Sequence, residues 1–537
     1  MKTLYYNGCV FCSEHEMHRA FLVEDGMFTH VGDDAALLAL PHDEAIDLQG
    51  AFVCPGFNDS HMHLMNLGNT MQMCPLGDAR SLAELIDRLR AFMDERQLND
   101  GQWLLGRGWN QDLFTPATGM PTRDALDAVS RHVPVCIVRC CGHALCVNSR
   151  ALALLGLDES TPCPEGGTIG RDASGRLNGL FMDAAMPLVQ GRLPRPSVAD
   201  MKAMLLSAMA HLGSVGVTSC QTDDLLCFES VPWQDVLRAY HELAAEGRMT
   251  VRVCEQSQFT TPEGLQGFLD AGYNTGVGDE WFRIGPLKLL GDGSLGARTA
   301  FLRDGYADAP QEHGLALFTQ EQFDELIALA HKSGMQCAVH VIGDGVLDRV
   351  LAAYERAFRL FPRKDHRSGI IHVQLTRPDQ LRKIRELNLC AHVQTVFLDY
   401  DTHIVHQRAG DELASTSYAF ATMQRMGIPL SNGTDCPVAA PDPFRGIQCA
   451  VTRQPLDGSL PAYRPEESMT VAQALHAYTA AGAYDSFEEH FKGRIAPGLA
   501  ADFVVLSADP FRTAPDQLQH IRVQSTFLQG RRVFHRA

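Results

Sequence analysis

Histidine side chains interrupt or follow short apolar segments of this 537-residue chain. His61 and His63 flank Met62, and in an extended chain this alternation places both imidazoles on one side. His340 and His372 each interrupt an apolar segment. Any one of them alone would be better explained as a packing or surface residue. Together they predict a divalent-metal site, because neutral imidazoles are common zinc ligands and several in one dry pocket need an ion to organise them.

Asp435 adds a carboxylate to this set, in the segment 432–437. A divalent metal lowers the pKa of a bound water toward about 7. A nearby carboxylate can then take the proton and deliver it to a leaving group. We therefore expect Asp435 to be both a metal ligand and the catalytic base and acid. The alternative is a turn or helix-cap aspartate, which is common in loops rich in glycine and proline.

Lys288 lies on an apolar segment and needs a separate explanation, because an ammonium group cannot bind a cation. Burial could remove its proton. Alternatively, reaction with carbon dioxide would give a carbamate, whose anionic oxygens could bridge two ions. The third alternative is a lysine paired with Asp292 or another acid. The sequence leaves these three open, and with them the choice between one ion and two.

The elements that must position these residues alternate short apolar strands with helices, which is typical of parallel βαβ construction. Eight strands together predict a TIM-like (β/α)8 barrel, whose active site lies at the C-terminal ends of the strands. The candidate ligands lie at or near those ends. The predicted strands are the one ending within 52–58 and those at 216–220, 251–254, 282–290, 336–340, 369–373, 390–394 and 428–431.

Both ends of the chain differ from the middle, with short β-segments separated by turns such as Asn7-Gly8. We predict one small β-sandwich built from residues 1–54 and 481–537, with the barrel at 55–480 between them. About 150 residues separate the first two barrel strands, far more than a loop requires. We therefore expect an inserted subdomain at about 66–200, and we expect it to act as a lid over the active site.

Composition excludes several classes of partner. The formal net charge is −18, from 46 basic and 64 acidic residues, which argues against nucleic acid and anionic membranes. No apolar run is long enough to span a bilayer, and residues 1–8 lack the character of a secretory signal. The sixteen cysteines are spread along the chain, and Cys9 and Cys12 form a single CxxC without a second one. We expect a cytoplasmic protein with a small-molecule substrate, either monomeric or a homo-oligomer.

Several segments resemble the amidohydrolase superfamily. Residues 55–63, Pro-Gly-Phe-Asn-Asp-Ser-His-Met-His, are similar to its first-strand signature, and residues 492–502 to its return into the β-sandwich. Segments 106–109, 142–144, 147–149, 292–300, 340–344 and 433–438 resemble the branch of YtcJ-like proteins and N-substituted formamide deformylases. The resemblance implies a TIM-like barrel with a β-sandwich and a proton-shuttling aspartate at Asp435. It also implies divalent metal, usually zinc, held by His61, His63, Lys288, His340 and His372.

The sequence departs from this branch near the expected substrate site. Ile371 and Asp183 stand where glutamate is common, and Phe397 stands where histidine is common. We therefore expect a hydrolase of an amide- or formamide-like, non-peptide C–N bond and leave its substrate open. A metal-dependent esterase or lactonase, an isomerase and a non-catalytic scaffold protein are the alternatives. The candidate substrate contacts, each with packing as an equal alternative, are Trp109, His143 and Phe397.

Overall fold

A computed structural model describes residues 1–228 and 230–537 of the protein. Its largest sheet has eight strands, which pair in parallel in the order of the chain. This nearly closed sheet confirms the predicted TIM-like barrel. Strands 1 to 8 of the barrel are Phe57–Met62, Val217–Thr222, Arg252–Gln258, Phe282–Leu290, Cys337–Val341, Gly369–His372, Cys390–Val393 and Leu430–Asn432.

The first predicted strand is wrong in its position, because the segment 52–58 belongs to two strands. Phe52–Pro55 pairs within another sheet, and barrel strand 1 begins only at Phe57. The break falls at Gly56, where a Cβ atom would overlap the side chain of Thr218. The apolar run continues across this break, which is why the hydrophobic pattern did not reveal it. As a consequence, His61 lies within barrel strand 1 rather than after it.

Helices follow the barrel strands and bury one apolar face each. Gln320–Lys332, after strand 4, begins with a capping box formed by Thr319 and Gln322. Its buried side chains recur at the three- and four-residue spacing of a helix face. The helices of this part of the chain are Trp233–Ala245, Pro262–Asp270, Gln320–Lys332, Asp344–Leu360, Pro378–Glu386, Leu398–Asp401, Val405–Ala414, Phe420–Arg425, Pro443–Thr452, Val471–Ala477 and Ala480–Asp485, preceded by Val198–Ser214.

The two outer strands of the barrel sheet, 1 and 8, are joined by hydrogen bonds of the loop that follows strand 8. The Asp59 carboxylate accepts a hydrogen bond from Thr434 N at 3.0 Å and another from the Thr434 hydroxyl. Asp435 N donates to His61 O at 2.8 Å. Gly433 makes this close approach feasible, since a Cβ there would lie 2.7 Å from both Asp59 Oδ1 and His61 N. The junction also fixes Asp435 beside His61.

We expect Gly433→Ala to lower the free energy of unfolding by about 1–3 kcal/mol, because an added methyl group has to push away the Asp59 carboxylate and the backbone of His61. Urea unfolding monitored by circular dichroism measures the change. Gly267→Ala is the control, because apart from its chain neighbours and the backbone of its own helix nothing in the described residues lies within 4 Å of its added Cβ. It lies in the helix Pro262–Asp270, where alanine should gain up to about 1 kcal/mol. Equal effects of the two substitutions would contradict the crowding argument.

The β-sandwich is built from both ends of the chain, as predicted. Tyr5 and Phe21 from one sheet pack against Phe503 and Phe527 from the other. One sheet contains Lys2–Tyr6, Ala20–Glu24, Met27–Gly32 and Glu44–Asp47. The other contains Cys9–Ser13, Glu16–His18, Phe52–Pro55, Phe503–Leu506, Val523–Leu528 and Arg531–His535.

Residues Gly68–Asp200 form a separate compact unit, and Met1–Leu67 with Met201–Ala537 form the other. The smaller unit contains a six-stranded sheet with its own apolar core. Its role as a lid stays a prediction. The unit's main elements are the strands Cys74–Pro75, Leu104–Trp109, Val135–Arg139, Ala144–Val147, Gly167–Arg171 and Leu177–Asp183 with the helices Leu82–Glu95, Arg123–Asp127, Ser149–Leu155 and Pro187–Gln190.

No helix in the described ranges is long and apolar enough to cross a membrane.

Candidate metal centre

Three of the predicted ligands meet at the C-terminal end of barrel strand 1. The Asp435 Oδ1 atom lies 2.9 Å from His63 Nε2 and 3.4 Å from His61 Nε2. One potential ligand atom from each of these residues lies within 4.8 Å of the other two. Asp435 adopts a left-handed backbone conformation with φ of 57°, and such conformations concentrate at functional sites. The arrangement can hold a divalent ion.

Lys288 joins this cluster, and its acidic partner is not the one that the sequence suggested. Lys288 Nζ lies 2.9 Å from His61 Nε2 and 3.3 Å from Asp223 Oδ2. The other oxygen of Asp223 contacts His63 Nδ1. Asp292 instead accepts hydrogen bonds from the backbone N–H groups of Phe301, Ile342 and Gly343. The acid paired with Lys288 is therefore Asp223 and not Asp292, which fits the predicted alternative of a lysine paired with Asp292 or another acid.

The remaining two histidines adjoin the same cluster. His372 Nε2 lies 2.9 Å from His340 Nδ1, and the rings of His372 and His61 are 5.7 Å apart. His340 Nε2 lies 3.2 Å from Gly293 O. The structure thus brings all six predicted ligands into one continuous network. Their roles as ligands stay predictions.

Two glutamine side chains orient the buried imidazoles. Gln256 Oε1 lies 2.7 Å from His61 Nδ1, and Gln394 Oε1 lies 2.6 Å from His372 Nδ1. A carbonyl oxygen can only accept, so each Nδ1 carries the proton and each Nε2 keeps its lone pair. Burial, with the neighbouring charges of Lys288 and other histidines, holds the pKa of both imidazoles well below the usual value. Both are therefore neutral and able to bind a metal.

We expect Gln256→Leu to weaken zinc binding about 10–100-fold, because loss of a partner that orients a metal-binding histidine has costs of this size. Competition with a chromophoric chelator measures the dissociation constant. Gln221→Leu is a matched control, since Gln221 is equally buried on the neighbouring strand but donates to Gly482 O. Equal zinc affinity in the two variants would show that Gln256 does not orient a ligand.

The electrostatics of the cluster suit a cation. Burial lowers the pKa of His63, but the carboxylates of Asp223 and Asp435 more than offset this and raise it to about 10. Burial raises the pKa of Asp223, and Lys288 and His63 bring it below the usual value. Two carboxylates are thus balanced here by the imidazolium of His63 and by Lys288. A divalent ion can supply that positive charge in their place.

Asp223, Gln256 and Gln394 were not among the predicted site residues. Asp223 directly follows barrel strand 2, so the strand-end rule that found the histidines could have found it. Gln256 lies within strand 3 and Gln394 follows strand 7. Their role depends on which side chain of another strand faces them, and a single sequence carries no signal for that.

The three predicted substrate contacts lie in different surroundings. Phe397 stacks on His372, with ring centroids 5.7 Å apart and an interplanar angle of 18°, so it lies beside the candidate metal centre. Trp109 is fully buried in the core of the unit Gly68–Asp200, which is a packing position. His143 is exposed in that unit, and its Nδ1 lies 3.2 Å from Asp183 Oδ1. Contact of each with a substrate stays a prediction.

Known proteins share this fold and much of this sequence. A model of the amidohydrolase family matches residues 44–534. The Bacillus subtilis (strain 168) protein YtcJ, itself only assigned as an amidohydrolase, is 32% identical, and the match covers 100% of both chains. The N-substituted formamide deformylase of Arthrobacter pascens is 26% identical over 95% of this chain and 94% of its own.

A solved structure is also similar to this protein over nearly its whole length. The crystal structure of an uncharacterized metal-dependent hydrolase from Pyrococcus horikoshii OT3 is 28% identical, with a TM-score of 0.79. The match covers 96% of this chain and 99% of that one. Both the sequence matches and the structural match extend over nearly the whole chain. The protein belongs to the amidohydrolase family and is a hydrolase.

Proposed function

We propose that this protein hydrolyses an amide- or formamide-like, non-peptide C–N bond with the help of a divalent metal, and that Asp435 is its general base and acid. The observation that carries the proposal is the convergence of His61, His63 and Asp435, whose ligand atoms lie within 4.8 Å of one another. The small-molecule substrate is in keeping with the amidohydrolase family.

The donor set suits zinc, whose catalytic sites in proteins are commonly held by imidazole nitrogens and a carboxylate oxygen. His61, His63 and Asp435 would hold a first ion, and His340 and His372 would hold a second. Such an ion supplies Lewis acidity, which makes water nucleophilic near neutral pH. A second ion would be favoured by a carbamate on Lys288, and Lys288 would then have to leave Asp223. One ion with an unmodified lysine is the simpler version of the proposal.

Asp435 is placed to move the proton. Its backbone N–H donates to His61 O at 2.8 Å, which fixes the carboxylate beside the histidines. In the proposed reaction its oxygen accepts a proton from water as the C–O bond forms. The same carboxyl group then donates that proton to the nitrogen as the C–N bond breaks. Phe397, stacked on His372, bounds the site with an apolar surface.

The alternatives differ in what the same centre would act on. An esterase or lactonase would use the same residues, and only substrate profiling separates it from an amide hydrolase. An isomerase on this scaffold is a further alternative. The similarity to an N-substituted formamide deformylase favours a C–N bond. A non-catalytic scaffold is disfavoured because all six candidate ligands are present and adjacent.

The test combines metal content with turnover. Elemental analysis of the purified protein should find zinc or another divalent metal at one or two ions per chain. The same preparation is assayed against N-substituted formamides, simple amides, esters and lactones. At least one formamide or amide should be hydrolysed with a higher kcat/KM than the esters. A folded preparation without metal, and without gain on adding zinc or manganese, would overturn the proposal.

A further inference from the structure

The carboxylate of Asp223 touches two of the candidate ligands at once. Its side chain is 3% exposed; one oxygen contacts His63 Nδ1, and the other lies 3.3 Å from Lys288 Nζ. We infer that Asp223 is a positioning residue, which holds a proton on His63 Nδ1 and so reserves Nε2 for the metal. The inference rests on the proposed function in one respect, since it takes a divalent metal as the ion that His63 binds.

The contact with Asp223 decides which nitrogen of His63 carries the proton. An ionised carboxylate oxygen can only accept a hydrogen bond, so the ring nitrogen that touches it must carry the hydrogen. The opposite nitrogen, Nε2, faces the cluster and lies 2.9 Å from Asp435 Oδ1. A histidine binds a metal ion only through a nitrogen without a proton. Nε2 is therefore the nitrogen that His63 offers to an ion shared with Asp435.

Hydrogen bonds on either side of Asp223 hold it beside the imidazole. The hydroxyl of Thr222 accepts a hydrogen bond from Leu64 N at 2.7 Å. The Oδ1 atom of Asp224 accepts one from Met65 N at 2.9 Å. The residues before and after Asp223 therefore bond the two residues that follow the histidine. Because these bonds do not involve the lysine, they fix the carboxylate and the imidazole together independently of it.

The partner of His63 differs in charge from the two glutamines that orient other imidazoles. Gln256 and Gln394 present neutral amide oxygens, whereas Asp223 presents a carboxylate. A hydrogen bond to a charged acceptor is roughly twice as strong as a neutral one. A carboxylate partner also makes the ring a more basic ligand. We therefore expect the loss of Asp223 to weaken metal binding at His63 directly.

Zinc affinity tests this role, measured by competition with a chromophoric chelator. Asp223→Leu should bind zinc about 10–100-fold more weakly than the wild type, the usual cost of losing a partner that orients a metal-binding histidine. Asp223→Asn should bind about 3-fold or more tightly than Asp223→Leu, because its amide oxygen can still accept from Nδ1. Asp224→Asn is the matched control and should keep wild-type affinity, since Asp224 is buried at the next position but bonds Met65 N and the Tyr240 hydroxyl.

A structural ion pair with Lys288 is the competing explanation, and the two substitutions at Asp223 separate it from positioning. Neither asparagine nor leucine carries a charge, so a role limited to the ion pair predicts equal losses of zinc affinity in both variants. Equal losses, or wild-type affinity in Asp223→Leu, would overturn the inference.

Proton NMR gives a second test that needs neither metal nor turnover. In protein labelled with ¹⁵N in its histidine rings, the Nδ1 proton held by the carboxylate should give a low-field signal, assigned by its absence in His63→Asn. The signal should move to higher field in Asp223→Asn, whose acceptor is neutral, and stay in place in Asp224→Asn. An unchanged signal in Asp223→Asn would overturn the inference, even if Asp223→Leu does not fold.

Turnover of amides is measured separately, which distinguishes this inference from the proposed function. Zinc affinity that depends on Asp223, in a protein that hydrolyses no amide, would support the positioning role and overturn the proposed function. Amide hydrolysis by the wild type, with unchanged zinc affinity in Asp223→Leu, would overturn the positioning role alone.

Discussion

Asp435→Asn is expected to lower kcat by about 10²–10⁴-fold, the usual contribution of a positioned general base and acid. The amide keeps the shape of the carboxylate and one oxygen donor, but it cannot take or return a proton near neutral pH. His61 and His63 remain to hold the ion, so most of the metal should stay bound. Initial-rate kinetics on the best formamide, with elemental analysis of the same sample, measure both quantities.

Asp411→Asn serves as the control for this substitution. Its carboxylate is 94% exposed and forms an ion pair with His406 at the surface, so activity should match the wild type. Retained activity in Asp435→Asn, at full metal content, would remove Asp435 as the base. Loss of activity together with all of the metal would make it a ligand without showing a role in proton transfer.

Asp502→Ala is expected to lower the free energy of unfolding by about 3–5 kcal/mol, the cost of leaving one partner of a buried ion pair alone. Arg252 begins barrel strand 3, is 1% exposed, and bonds both oxygens of Asp502 at 2.8 and 3.3 Å. Its guanidinium also lies between the rings of Trp281 and Phe491. Urea unfolding at neutral pH measures the loss.

The double variant Arg252→Met with Asp502→Leu is the matched comparison. Replacing both partners with apolar side chains leaves no buried charge unpaired, so most of the lost stability should return. A single Asp502→Ala variant within 1 kcal/mol of wild type would show that the pair does not secure the junction between barrel and sandwich. A double variant as unstable as the single one would show that the unpaired charge is not responsible, and would leave packing and the hydrogen bond from Gln529 N to Asp502 as the causes.

The fold and the six candidate ligands were largely predictable because both follow from local patterns. Apolar strands alternate with helices, and reactive side chains lie where barrel strands end. The pattern failed at Gly56, where two strands meet without a change in hydrophobicity. It also failed for Gln256 and Gln394, whose contacts with His61 and His372 join residues of different strands. Strand alternation predicts which face a side chain occupies, but only the register between strands decides its partner.

The β-sandwich places a constraint on how the chain is made. Strand Phe52–Pro55 pairs with Phe503–Leu506, and the ribosome finishes the second of these about 450 residues after the first. During that time the apolar side chains of the N-terminal strands lack the partners that finally cover them. Exposed strand edges of this kind bind other chains. The first 55 residues of a nascent chain of this protein therefore lack part of their final cover until after the whole barrel has been synthesised.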